Sequence, residues 1–139
     1  MFTPVSMRSA NTYKTVGLET SVSEASPHQL VSLLFDGVLQ SLTAARGAML
    51  KGDFAAKGRS IGRVVRILEE GLKASLDVER GGEVAATLLS LYDFCIFKIT
   101  EANLRNDVAM VDEVISLIQP VADGWGQIRS QIAAPNYLA

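Results

Sequence analysis

The chain has one cysteine, one histidine and one tryptophan in 139 residues. A lone Cys95 cannot close an intrachain disulfide, which fits a reducing compartment. A lone His28, with no Glu-x-x-His repeat or carboxylate cluster, excludes the metal sites that helical bundles build. It reads as a surface residue at a helix end. Phosphate-loop order is missing too, because GDFAAKG (52–58) lacks the G-x-x-x-x-G-K-[ST] spacing. Cys95 falls on an apolar stripe with no base in pattern, as a small buried hydrophobe does. No enzyme and no cofactor is expected. Apolar runs never approach the roughly 20 residues a membrane helix needs, so no membrane insertion is expected. MFTPVSMRSANTYK (1–14) lacks the apolar centre of a signal peptide, and a cytoplasmic protein is the expectation.

Charge of one sign is also scarce. Thirteen Lys and Arg against fifteen Asp and Glu leave a net charge of −2, with no global pull on nucleic acid. The row Arg59, Arg63, Arg66 and Lys73 shares one helical side, but Glu69 and Glu70 interleave it and no aromatics stand by for base stacking. A solvated face, or an acidic protein partner, fits it better than nucleic acid. The Glu69-Glu70 and Asp112-Glu113 pairs read as solvated. Proline occurs at 4, 27, 120 and 135, which leaves residues 28–119 unbroken. That is a helical signature.

Length allows one domain: an N-terminal arm (1–25), a bundle (26–132) and a tail (133–139). The arm shows no sustained period and reads as mobile. Order begins at Ser26-Pro27-His28-Gln29, where Ser26 caps, Pro27 suits the first helical position and Gln29 completes a capping box. Val31, Leu34, Val38, Leu42, Ala45 and Met49 then step by three or four, predicting a helix over about 27–51. Gly52 stops it and Asp53 caps the next, predicted over 53–79 with Phe54, Ile61, Val65, Leu68, Leu72 and Leu76 inward. Its polar side holds Lys57, Arg59, Arg63, Arg66, Glu69, Glu70 and Lys73. Gly81-Gly82 is read as the next stop, with a third helix over 83–104. Asn106 or Asp107 caps a fourth, over 107–132. Its stripe of Val111, Val114, Ile118, Val121, Trp125, Ile128 and Ile132 continues in phase beyond Pro120, which bends the helix without ending it. Short connections make neighbours antiparallel, so the fold class expected is an all-α, up-down-up-down four-helix bundle with a mobile N-terminal arm.

The third helix carries too much apolar surface. In LLSLYDFCIFKI (88–99) nine of twelve residues are apolar or aromatic. A stripe of Val84, Leu88, Leu91, Cys95, Ile99 and Ala102 suffices for a bundle, with Ala85 and Tyr92 at its edge. Phe97 and Leu104 fall nearly opposite, Phe94 lies off the stripe, and Leu89 and Ile96 occupy a flank. Leaving such side chains in water forgoes about 1.5–3 kcal/mol each. Either neighbouring helices and the arm cover them, or another chain does, laid into a groove. The two are compatible if the arm, with Tyr13 as its aromatic anchor, is a temporary cover.

Two segments, EASPHQLVSLLFDGVLQSLTAA (24–45) and GLKASLDVERGGEVAATLLSLYDFCIFKITEANLRNDVAMVDEV (71–114), resemble the FliS family of flagellar secretion chaperones. Tyr13 and Trp125 extend the resemblance over about residues 10–126. SPHQL, LFDG, SLD, GGE, LYDF and AN-x-x-ND carry it jointly. It implies a cytoplasmic four-helix chaperone that holds the disordered C-terminal segment of flagellin wrapped around the bundle. It also implies that the chaperone prevents premature polymerisation and supports delivery to the type III export gate. The family's arm tyrosine corresponds to Tyr13, and the LYD and AN-x-x-ND stretches fall on Tyr92 and on Asn103, Asn106 and Asp107. The partner-binding set expected is therefore Tyr13, Leu89, Tyr92, Phe94, Ile96, Phe97, Asn103, Leu104, Asn106 and Asp107. When free, the chaperone is expected to be a monomer or weak homodimer. Phe35 and Phe94 stand where many relatives have tyrosine, and Pro120 is a further departure. A self-associating structural or adaptor bundle, whose extra faces meet one another, is the alternative.

Overall fold

A computed structural model describes residues 26–132, and the side chains of 26–128. The arm, with Tyr13, and the tail lie outside the described residues, as does the Ile132 side chain. Four helices follow in order: α1 (Pro27–Lys51), α2 (Phe54–Arg66), α3 (Val78–Arg105) and α4 (Val108–Ile132). α2 continues as a π-helical stretch, Ile67–Leu72, and a 3₁₀ turn, Lys73–Ser75.

The caps explain the boundaries. The Gln29 amide donates to Ser26 Oγ and Gln29 Oε1 accepts from the Ser26 amide at 2.8 Å, which is the capping box. Gly52, at φ 73°, turns the chain out of α1, and Asp53 Oδ1 accepts from the Ala56 amide to start α2. Asn106, at φ 53° and ψ 47°, closes α3 in the left-handed region that asparagine tolerates. Asp107 then accepts from the Met110 amide and starts α4.

The corner between α2 and α3 lies earlier than expected. The helix foreseen over 53–79 ends at Ser75, Leu76 is extended and buried, and Asp77 caps α3 through the Arg80 amide. The Ser75 hydroxyl donates to the Gly71 carbonyl at 2.8 Å, closing off the tightened end. Gly82 does break the helix (φ 55°, ψ −132°), but as a kink inside α3 and not as its start.

Side-chain pairs fix the topology. Gly71 packs on Leu34, joining α2 to α1. Lys57 with Asn103 and Lys73 with Asp93 join α2 to α3, and Lys98 with Glu113 joins α3 to α4. His28 with Trp125 and Arg46 with Asp112 return α4 to α1. In the two-pair junctions the partner number falls as the first number rises, so those neighbours run antiparallel. The result is a closed all-α ring of four.

Leu34, Leu42, Ile67, Leu68, Leu72, Tyr92, Ile99 and Ile118 fill the centre. α4 runs through an exposed Pro120 without ending. Gly71 gives Leu34 its room, since a Cβ there would lie 2.9 Å from the methyls of that fully buried side chain, which would have to shift. Overpacking of this kind costs about 1–3 kcal/mol. Gly71→Ala is therefore expected to lower the thermal midpoint by several degrees; an unchanged melting curve would show that Leu34 has room to move.

Candidate partner-binding surface

α3 is turned relative to the stripe read from sequence. Ala85, Tyr92, Cys95, Ile99 and Ala102 are its buried residues, whereas Val84 is 56% exposed and Leu88 and Leu91 are half-buried. Tyr92 and Ala85, expected at the edge, stand at the centre. Both alternatives are apolar, so the helix could be set either way until its neighbours chose. Burial pushes the Cys95 thiol up to about 11, which leaves it an inert hydrophobe near neutral pH.

The opposite face of α3 is open. Phe94 is 43% exposed, Phe97 62% and Leu104 81%. Leu89 and Ile96 are half-buried against the core, on the flank where periodicity put them. Around these apolar groups the charges are tied down. Lys98 pairs with Glu113 at 3.2 Å and lies 5.8 Å from the Phe94 ring centre. Asp93 holds Lys73 at 2.7 Å, and that bond, with Glu69, raises the lysine's pKa.

A second apolar surface was not foreseen. Phe35, Leu88, Tyr92, Val121, Gly124, Trp125 and Ile128 line a groove of about 180 Å³ between α1, α3 and α4. Tyr92 forms part of its wall although the residue is buried. Beside it, His28 and Trp125 stack with centroids 4.2 Å apart and planes 8° from parallel. Trp125 Nε1 donates to the His28 carbonyl at 3.1 Å, and His28 Nε2 lies 3.0 Å from the Trp125 carbonyl. His28 is thus a half-buried clasp holding the start of α1 to the end of α4, and not the surface histidine expected. The one sequence signal was that both residues are unique in the chain.

The AN-x-x-ND stretch builds the far corner. Ala102 is in the core, and its carbonyl accepts from the Asp107 amide at 3.0 Å. Lys57 Nζ donates to the Asn103 carbonyl at 3.1 Å and to Asn106 Oδ1 at 3.2 Å. Asn106 and Asp107 are thus committed to the turn. Lys57 was expected on the polar side but is only 8% exposed, while Phe54, expected inside, is 65% exposed. The two trade places because the end of α3 offers an ammonium its acceptors, and the Phe54 ring lies 5.0 Å from that ammonium. Among the described residues no His/Cys/Asp/Glu group is arranged to hold a metal, and no helix is long and apolar enough to cross a membrane.

The fold is a helical scaffold with apolar surface on two sides of α3. The chain belongs to the FliS family: the model for the flagellar protein FliS matches residues 9–132. It is 45% identical over 84% of its length to the flagellar secretion chaperone FliS of Salmonella typhimurium (strain LT2), covering 86% of that protein. It is 43% identical to the flagellar secretion chaperone FliSB of Pseudomonas aeruginosa (strain PAO1), over 88% of this chain and 96% of the relative. The flagellar secretion chaperone FliS of Escherichia coli (strain K12) is 40% identical over 91% and 90% of the two chains. These relatives are named as chaperones and not as enzymes.

Proposed function

We propose that this protein is a cytoplasmic export chaperone that binds the disordered C-terminal segment of flagellin, prevents its premature polymerisation and helps deliver it to the flagellar export gate. The observation that carries this is apolar surface left open on two opposite sides of one helix. Leu88 and Tyr92 border the groove, while Phe97 and Leu104 face roughly the other way and remain 62% and 81% exposed. A rigid globular partner would meet one side. A flexible chain can meet both.

Leu88 and Leu104 lie sixteen residues apart on α3, about 24 Å along its axis at 1.5 Å per residue. An extended client needs about seven residues to cover that length, and more to pass around the bundle. Leu89, Phe94, Ile96, Phe97 and Leu104 supply the outer contacts, Tyr92 acts through the groove, and Asn103, Asn106 and Asp107 set the corner that the client rounds. Since His28 stacks on Trp125, the chain enters α1 beside the groove. That position suits an arm whose Tyr13 covers the groove until a client arrives.

Coupled folding and binding gives the test, because ordering a disordered segment against apolar surface lowers the heat capacity. Titration calorimetry with a flagellin C-terminal peptide is expected to show a 1:1 complex with a negative heat-capacity change. Neither heat nor co-elution at micromolar concentrations would reject the reading. Sedimentation separates the alternative, since a bundle that closes its open faces on second copies of itself leaves no free groove.

A further inference from the structure

Tyr92 does not fit the logic of the core around it. Its side chain is fully buried, yet its hydroxyl meets no hydrogen-bond partner. A buried hydroxyl without a partner costs free energy, and phenylalanine would fill the same space without that cost. Ser75, also buried, is satisfied by the Gly71 carbonyl. Ser41 is unpartnered too, but it does not line the groove. Tyr92 does.

The groove's other walls, Phe35, Leu88, Val121 and Ile128, offer apolar contact. Trp125 contributes an indole N–H, but it is already given to the His28 carbonyl. Among the described residues that line the groove, Tyr92 is thus the one whose polar side-chain atom meets no partner.

We propose that the Tyr92 hydroxyl is a specificity-determining donor for the bound client: it gives a hydrogen bond to a main-chain carbonyl of the segment seated in the groove, whose aliphatic side chain fills the apolar space. This rests on the chaperone reading and goes further, because it states which conformation the groove accepts. Carbonyls in the middle of a helix are already bonded four residues on, whereas those of the last turn are free. The groove therefore selects an extended stretch or the end of a helix. Burial raises the phenol pKa, which keeps the group protonated and able to donate.

The full chain, Tyr92→Phe, Tyr13→Ala and the double variant are to be titrated with a flagellin C-terminal peptide and melted without it. Tyr92→Phe is expected to weaken binding five- to tenfold, by the same factor with or without Tyr13, and not to lower the thermal midpoint. An affinity within twofold of the unsubstituted chain overturns the inference. A loss that vanishes in the Tyr13→Ala background overturns it as well, by assigning the hydroxyl to the chain's own arm. Failure of the unsubstituted chain to bind is a different result, and it removes the chaperone reading itself.

Discussion

Phe97→Asp is expected to weaken the flagellin peptide more than tenfold while leaving the free bundle folded. Phe97 is 62% exposed in the free chain, so the bundle loses little when the ring is removed. Asp in mid-helix costs only a fraction of a kcal/mol relative to better helix formers, about 0.7 at most. A client that covers the ring gains about 1.5–3 kcal/mol from its burial, and a carboxylate in its place must be desolvated as well. A tenfold change corresponds to about 1.4 kcal/mol, so the lower end of that range already exceeds it. Calorimetry reads the affinity, and circular dichroism on heating reads the fold. A midpoint more than about 5 °C lower would place Phe97 in the core. Unchanged affinity would remove the outer face of α3 from the client's path.

Lys57→Ala carries the largest expected effect on stability. The ammonium holds the Asn103 carbonyl and the Asn106 side chain at the end of α3, and its stem is buried. Hydrogen bonds to charged groups contribute about 1.5–3 kcal/mol, and removing Lys57 takes the partner from the half-buried Asn103 carbonyl, while the exposed Asn106 side chain is left to water. A loss of about 2–3 kcal/mol is expected, near 10 °C in thermal midpoint for a domain of this size. Lys57→Met keeps the stem without the charge and is expected to lose almost as much. If the methionine variant melts like the parent, packing of the stem matters and the hydrogen bonds do not.

Much of this was visible in the residues themselves. Ser26-Pro27-His28-Gln29 announces α1, Gly52-Asp53 turns it into α2, and Asn106-Asp107 makes the last corner, because each cap works through groups within three or four residues of itself. The corner at Leu76-Asp77 was not visible. A Gly-Gly pair is a stronger local stop than Ser75, and nothing in the local sequence marks the π-helical stretch before it, where Gly71 lies close to Leu34 across the bundle.

The surplus of apolar residues on α3 was legible as a quantity but not as a position. Leu88-Leu89, Leu91-Tyr92 and Cys95-Ile96 offer two adjacent stripes, and the helices packed against α3, chiefly α2 and α4, decide between them. The groove was not legible at all, since its walls come from three helices and its clasp joins residues 97 apart in sequence. Lys57 and Phe54 were misplaced for a related reason: amphipathic counting assigns a lysine to water until some distant helix end supplies acceptors.

The stacked indole at the mouth of the groove has a practical consequence. It is the chain's sole tryptophan, so the fluorescence of the unlabelled protein comes chiefly from that spot. Whatever settles against it changes the polarity around one chromophore, and the emission colour becomes a direct readout of occupancy.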